Sequence, residues 1–247
     1  MPLTIGRPED VSVCYALIFG PPGAGKTHHL GSLADDERTA PALILDFEGG
    51  SQTLVGRDVD VARIYTPQDF EEALEVLRGG DYKSFGVDSL SEAQVGGLLA
   101  ILEKDKRRAD PDQLAQQDWG VILVQMRRFV RRFKDLGVHG FMTALAKDAL
   151  DPRVGKIVVP AFQGAFSGEV EGVFDVVTYL AQSETEDGQT ERLMLLRDYP
   201  SYRIKARSPY GHQPPAELVG ENGEVPTAGA LLDALGYKRP TKGKESK

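Results

Sequence analysis

The stretch Val13-Cys14-Tyr15-Ala16-Leu17-Ile18-Phe19, followed at once by Gly20-Pro21-Pro22-Gly23-Ala24-Gly25-Lys26-Thr27, decides the fold. An unbroken apolar run that stops at Gly-Pro reads as a strand buried on both faces. The next eight residues satisfy the pattern Gly-x-x-x-x-Gly-Lys-Thr, and a helix is predicted from there to about Ala34. Strand, glycine loop and helix in this order make an anion cradle. The glycines let backbone N–H groups turn inward around phosphate oxygens, and the helix start adds partial positive charge. Lys26 is placed to reach the β- and γ-phosphates, and Thr27 to ligate Mg²⁺. Gly20, Pro21, Pro22, Gly23, Ala24, Gly25, Lys26, Thr27 and the adjacent His28 are therefore candidate contacts to ATP. His28 and His29 have no companion ligands in the pattern and are assigned no metal role.

Working outward, the same syntax recurs. Ala42-Leu43-Ile44-Leu45 reads as a second buried strand, and it ends in Asp46-Phe47-Glu48-Gly49-Gly50. A short strand is expected near Val61–Ile64. Thr66-Pro67-Gln68-Asp69 then supplies an N-cap, a proline at the first helical position and an acid at the third, opening a helix from 67 to about Arg78. Ser84–Val87 is a strand tipped by Asp88, and Ser89-Leu90-Ser91-Glu92 reads as a capping box. After a polar interval at Ala109–Gln117, a helix is predicted from about Asp118 to Leu136 and a strand from Val138 to Thr143. This alternation predicts an α/β fold with a mostly parallel sheet flanked by helices.

From Ala146 to Gly172 the chain is rich in Gly, Pro and small residues and reads as a long loop around one strand-like stretch, Ile157–Val159. Three further strands, Val173–Ala181, Arg192–Leu196 and Tyr202–Lys205, come without helices between them and predict an antiparallel C-terminal extension. Gly211–Val225 is loop-like and Thr227–Leu235 a short helix. The expected organisation is one domain over 1–236 and a basic, disordered tail over 237–247.

A phosphate loop needs a second acid for magnesium at the end of a neighbouring strand. Asp88 is the first candidate and Asp46 the competitor. Hydrolysis needs a group that orients or deprotonates water, and Glu48 suits that role. If the 138–143 strand lies between the Gly20 and Asp88 strands, as in P-loop ATPases with an inserted strand, Thr143 becomes a candidate γ-phosphate sensor; the alternative is a plain strand residue.

Composition narrows the class. The 247 residues are 41% hydrophobic, and Gly 27 with Pro 15 make up about 17%, below the ~25–30% that signals disorder. No apolar run approaches the ~20 residues of a membrane span, and Met1 to Asp10 lacks the apolar core of a signal peptide, so a cytoplasmic protein without membrane partners is expected. One cysteine, Cys14, excludes an intrachain disulfide or a cysteine–zinc scaffold. A net charge of −8 disfavours nucleic-acid binding through bulk positive charge. Its distribution matters, because residues 237–247 carry five cations against one acid and the rest of the chain is more acidic than the total.

Four motifs together resemble the RecA-type recombination ATPases, most closely the compact RecA-core proteins of bacteriophages that act with single-strand annealing systems. They are the loop at 20–27, Leu45-Asp46-Phe47-Glu48-Gly49, Gly86-Val87-Asp88-Ser89 and Lys205-Ala206-Arg207. The resemblance implies a RecA-like P-loop NTPase core with Glu48 activating water. It also implies that Lys205 and Arg207 reach the γ-phosphate of a neighbouring subunit; the other reading is an exposed basic pair. By the same resemblance the chain is a slow, DNA-stimulated Mg-ATPase, forming a ring or filament and acting in the host cytoplasm beside a single-strand-binding protein. The chain lacks the appended N-terminal domain of the larger recombinases and the glutamine expected after 138–143.

In that family the loop after the sensor strand contacts single-stranded DNA. The matching segment, Ala146–Gly172, offers Lys147, Arg153 and Lys156 for phosphates and Phe162 and Phe166 for bases. The alternative is a structural excursion packing these apolar residues into the core. A second basic cluster, Arg127, Arg128, Arg131, Arg132 and Lys134, reads as a solvated helix face. Two other functions share the nucleotide motif: an ATP-switched adaptor such as a helicase loader, and a small-molecule kinase.

Overall fold

The computed structural model describes residues 13–104, 116–164, 166–185 and 187–239. In chain order, β1 (Tyr15–Gly20) leads through the glycine loop into α1 (Lys26–Gly31) and a 3₁₀ turn at Ser32–Asp35. Then come β2 (Ala42–Asp46), β3 (Asp60–Arg63), α2 (Pro67–Arg78), β4 (Ser84–Asp88), α3 (Leu90–Lys104), α4 (Gln116–Lys134) and β5 (His139–Asp151). The chain continues through β6 (Gly155–Pro160), α5 (Phe166–Val173), β7 (Val176–Glu184), β8 (Thr190–Leu195), β9 (Lys205–Ala206), β10 (Glu217–Val219) and α6 (Ala228–Ala234).

The main sheet runs β10-β8-β7-β1-β5-β4-β2-β3. From β7 to β3 every neighbouring pair is parallel, and β8, β9 and β10 add antiparallel strands on the far side of β7. This is the expected α/β architecture with its antiparallel extension. The strand after α4 does lie between β1 and β4. Phosphate loop, Asp46 and Asp88 thus emerge at one edge, the carboxyl ends of the parallel strands, where open α/β sheets bind ligands.

Strand periodicity explains the two core layers. Tyr15, Leu17 and Phe19 of β1 face a layer with Phe70 and Leu74 of α2, Val130 and Phe133 of α4 and Val170 of α5. Ala16 and Ile18 face the other, with Leu30 of α1 and Leu231 and Leu232 of α6. Gly86, an odd residue for a buried strand, leaves room for Ile44 of β2 and Leu30 of α1. A methyl group there would stand 2.7 Å from Ile44 Cδ1 and 3.2 Å from Leu30 Cδ2.

The capping box at Thr66 is present: Asp69 N–H donates to Thr66 Oγ1, and Thr66 N–H donates to the Asp69 carboxylate at 2.7 Å. Most differences come after residue 143. Ala146–Gly172 is not a long loop. β5 runs six residues past its last β1 partner, Leu145, and pairs antiparallel with β6. The turn is set by Asp151, whose Oδ1 accepts from Arg153 N–H at 2.8 Å and Val154 N–H at 3.2 Å. Gly211–Val225 contributes β10 to the sheet. Tyr237 belongs to the folded body and not to a tail. Its hydroxyl donates to Val13 O at 3.3 Å, and its carbonyl accepts from Arg38 Nη1 at 2.8 Å. The polar interval up to residue 115 and the tail beyond 239 lie outside the described residues. No described helix is long and apolar enough to cross a membrane.

Candidate nucleotide site

β1 ends at Gly20 because the chain must turn sharply; Gly23 and Gly25 follow with φ of 77° and 104°. Only glycine adopts the second value without strain, and a methyl group on Gly25 would also meet Val225 Cγ2 at 2.4 Å. Gln182 of β7 steadies the loop by donating to Gly23 O at 3.3 Å. Lys26 is 8% exposed, and its ammonium donates to Gly20 O at 3.1 Å and Pro21 O at 2.8 Å. Burial lowers its pKa from the ordinary lysine value, opposed by the charges of Asp88 and Glu48. Both carboxylates act on the Lys26 charge, and Asp88 bonds to Thr27 of the loop helix, so loop and acids share one side of the sheet.

Thr27 Oγ1 donates to Asp88 Oδ2 at 2.7 Å. A hydroxyl and a carboxylate held this way, beside a cradle of loop amides, are hard oxygen donors that fit Mg²⁺ and would hold it there. Asp46, the competing acid, is otherwise engaged. Its Oδ1 accepts from Glu48 N–H at 3.1 Å and Gly49 N–H at 2.6 Å, its Oδ2 from Ser51 N–H at 3.3 Å, and Arg63 lies 3.7 Å away. It shapes the turn that presents Glu48. The register places Asp46 beside Asp88, and Phe47 and Glu48 N–H groups donate to Asp88 O at 2.7 and 3.2 Å. The Glu48 carboxyl is exposed, bonds to Ser89 and is pushed up from the usual carboxylate range, first by partial burial and then by Asp88.

Thr143 is not placed as a γ-phosphate sensor. It is fully buried, and its hydroxyl donates to Asp88 Oδ1 at 2.6 Å, with Val87 O at 3.2 Å. A hydroxyl has one proton to give, so Thr143 orients the Asp88 carboxylate from behind. His28 is exposed on α1. His29 is fully buried and donates from Nδ1 to Pro226 O at 2.7 Å, tying the loop helix to the chain before α6. Burial depresses its pKa to about 4.

Lys205 and Arg207 part company. Both sit beside the first residues of β7, and β7 starts opposite the beginning of β1, so they lie at the sheet edge away from the phosphate loop. The Lys205 ammonium donates to Glu171 O and to Phe174 O, the latter at 2.9 Å, and so closes the C-terminus of α5. It is not free for a phosphate. Arg207 is 69% exposed, with Asp175 at 3.6 Å.

The DNA candidates also divide. Phe162 and Phe166 are buried in the core, with ring centroids 5.1 Å apart, and offer no face to a base. Lys147 donates to Phe162 O, Lys156 pairs with Asp148 at 3.0 Å, and Arg153 projects at the exposed hairpin turn. In the basic cluster on α4, Arg127 pairs with Glu169 and Arg132 with Glu71.

The contacts from α3 to the hairpin base have no counterpart among the sequence motifs. Ser91 Oγ donates to Ala161 O and accepts from Leu145 N–H, both at 3.2 Å. Gln94 Oε1 accepts from Gln163 N–H at 2.8 Å, and its Nε2 donates to Gln163 O at 3.1 Å. Gln94 is 2% exposed, and a buried amide requires such partners; the sequence itself does not mark it as buried.

Residues 14–208 match the protein family described as AAA domain. No curated protein matches the chain. Among solved structures, a KaiC-like protein from the hyperthermophilic archaeon Pyrococcus horikoshii OT3 is similar at 15% identity, over 78% of this chain and 82% of that one, with a TM-score of 0.46.

Proposed function

The chain belongs to the AAA domain family, and from that premise we propose that it is a Mg-ATP-dependent ATPase of the RecA-core recombination type. Its nucleotide state governs binding of single-stranded DNA, with annealing or strand exchange as the output. The loop amides and Lys26 would hold the phosphates, and Thr27 and Asp88 would hold the metal. Bound Mg²⁺ supplies charge neutralisation at the phosphate oxygens. Glu48 orients the attacking water and takes its proton on a carboxylate oxygen. Arg207 of one subunit serves the site of the next in a homo-oligomer.

One observation carries the coupling. Helix α3 starts two residues after Asp88 and grips the base of the β5–β6 hairpin through Ser91 and Gln94. A shift at Asp88 is passed to the hairpin, whose Arg153 meets the phosphates of the strand, joined by Lys147 and Lys156 when they exchange Phe162 O and Asp148 for phosphate oxygens. A second reading, an ATP-switched adaptor for a protein partner, is favoured by the apolar tip of the same hairpin, with Leu150 87% and Val154 48% exposed. Turnover measured with and without single-stranded oligonucleotide separates the two. Stimulation supports the recombination reading; turnover and sedimentation indifferent to DNA reject it in favour of the adaptor.

A further inference from the structure

Arg192 of β8 is unusual among the cations. Its Nε is buried with no hydrogen-bond partner, and among the described residues its guanidinium forms no ion pair. Leaving a buried charged donor unsatisfied is costly. Its place in the fold is specific. Arg192 is the cross-strand partner of Gln182, the residue that holds Gly23 O. The Arg192 stem reaches the loop as well, since a methyl group on Gly25 would lie 3.7 Å from Arg192 Cδ. Thus β7 and β8 send neighbouring polar side chains onto the same loop.

The sheet order fixes which end of a nucleotide Arg192 meets. Asp88 stands on β4, two strands to one side of β1, and Glu48 follows β2 beyond it. Arg192 stands on β8, two strands to the other side, so the strands of the acid and the arginine flank β1 at about 10 Å each and both side chains reach in to the loop. The metal and water groups draw the γ-phosphate toward β4. The phosphates next to the nucleoside then lie toward β8.

We propose that Arg192 is a binding residue, supplied by the same subunit, for the nucleoside-proximal phosphates of ATP, its terminal Nη groups and charge directed at their oxygens. The assignment rests on the ATP reading of the loop. The test measures affinities of the full-length protein for Mg-ATP and Mg-ADP by calorimetry, for the parent, Arg192→Met and Arg192→Lys. Met keeps an apolar stem against Gly25, and a nucleotide-free melting midpoint equal to the parent's establishes that it folds; Arg192→Gln replaces it if it does not. Removing a charge-assisted hydrogen bond predicts about 10- to 100-fold weaker binding, equal for ATP and ADP, with Lys restoring most of it. A loss confined to ATP places the arginine on the γ-phosphate and overturns the proposal, as does unchanged affinity for both. A parent that binds neither nucleotide overturns the ATP reading itself.

Discussion

At the residue scale, the site divides its labour among acids that look alike in the sequence. Asp46 and Asp88 both end buried strands, yet Asp46 accepts three backbone N–H groups while Asp88 faces Thr27. Glu48→Gln should therefore retain ATP binding and lower turnover about 10²- to 10⁴-fold; unchanged turnover in a steady-state assay would remove Glu48 as the base. Asp46→Asn should lower turnover less and leave nucleotide affinity near the parent's, because it disturbs only the turn that carries Glu48. The glycine loop and Lys26 were legible because their spacing is itself the chemistry. Thr143 was not, because a strand threonine at the right height can face either a ligand or a carboxylate, and only the 2.6 Å contact to Asp88 decides it.

At the element scale, α2 was readable to the residue, since proline, N-cap and acid are local signals. The β5–β6 hairpin was not. Its glycines and prolines read as loop, while its pairing depends on β5 outrunning its neighbour β1. Phe162 and Phe166 failed as base platforms for the same reason: composition does not say which side of a segment is inside. Lys205 and Arg207 now predict opposite phenotypes. Lys205→Met uncaps α5 and should cost about 1–3 kcal/mol of stability by chemical denaturation. Arg207→Ala should leave the denaturation midpoint unchanged, and mixing it with Lys26→Ala subunits should recover part of the ATPase activity. No recovery at any ratio argues against action between subunits.

At the scale of the whole molecule, the acidic balance of −8 and a nucleotide site coexist by segregation. Carboxylates gather at the ends of β2 and β4, and the hairpin carries Lys147, Arg153 and Lys156 beyond the sheet with only Asp148 and Asp151 beside them on the hairpin. Stability should also depend on pH through His139. Its Nδ1 accepts from Cys14 N–H at 3.1 Å, and burial, aided by Arg38, lowers its pKa from 6.5 to about 4. Between those values the unfolded chain binds a proton that the folded chain refuses, so stability falls as pH drops through the window and is regained above 6.5. The loss attributable to this group is at most about 3 kcal/mol. His29, also lowered to about 4 by burial, titrates in the same window, so His139→Asn, which keeps an acceptor for Cys14, should reduce the slope of the thermal stability profile between pH 7.5 and 5 and leave the His29 share in place. The central claim is that nucleotide state at Asp88 controls the hairpin's hold on DNA. Fluorescence anisotropy of a labelled single-stranded oligonucleotide tests it most directly, with Mg-ATP, Mg-ADP and no nucleotide in parallel. Tight, salt-sensitive binding with ATP alone, lost in Lys26→Ala, is the predicted result; binding that is absent or indifferent to nucleotide contradicts it.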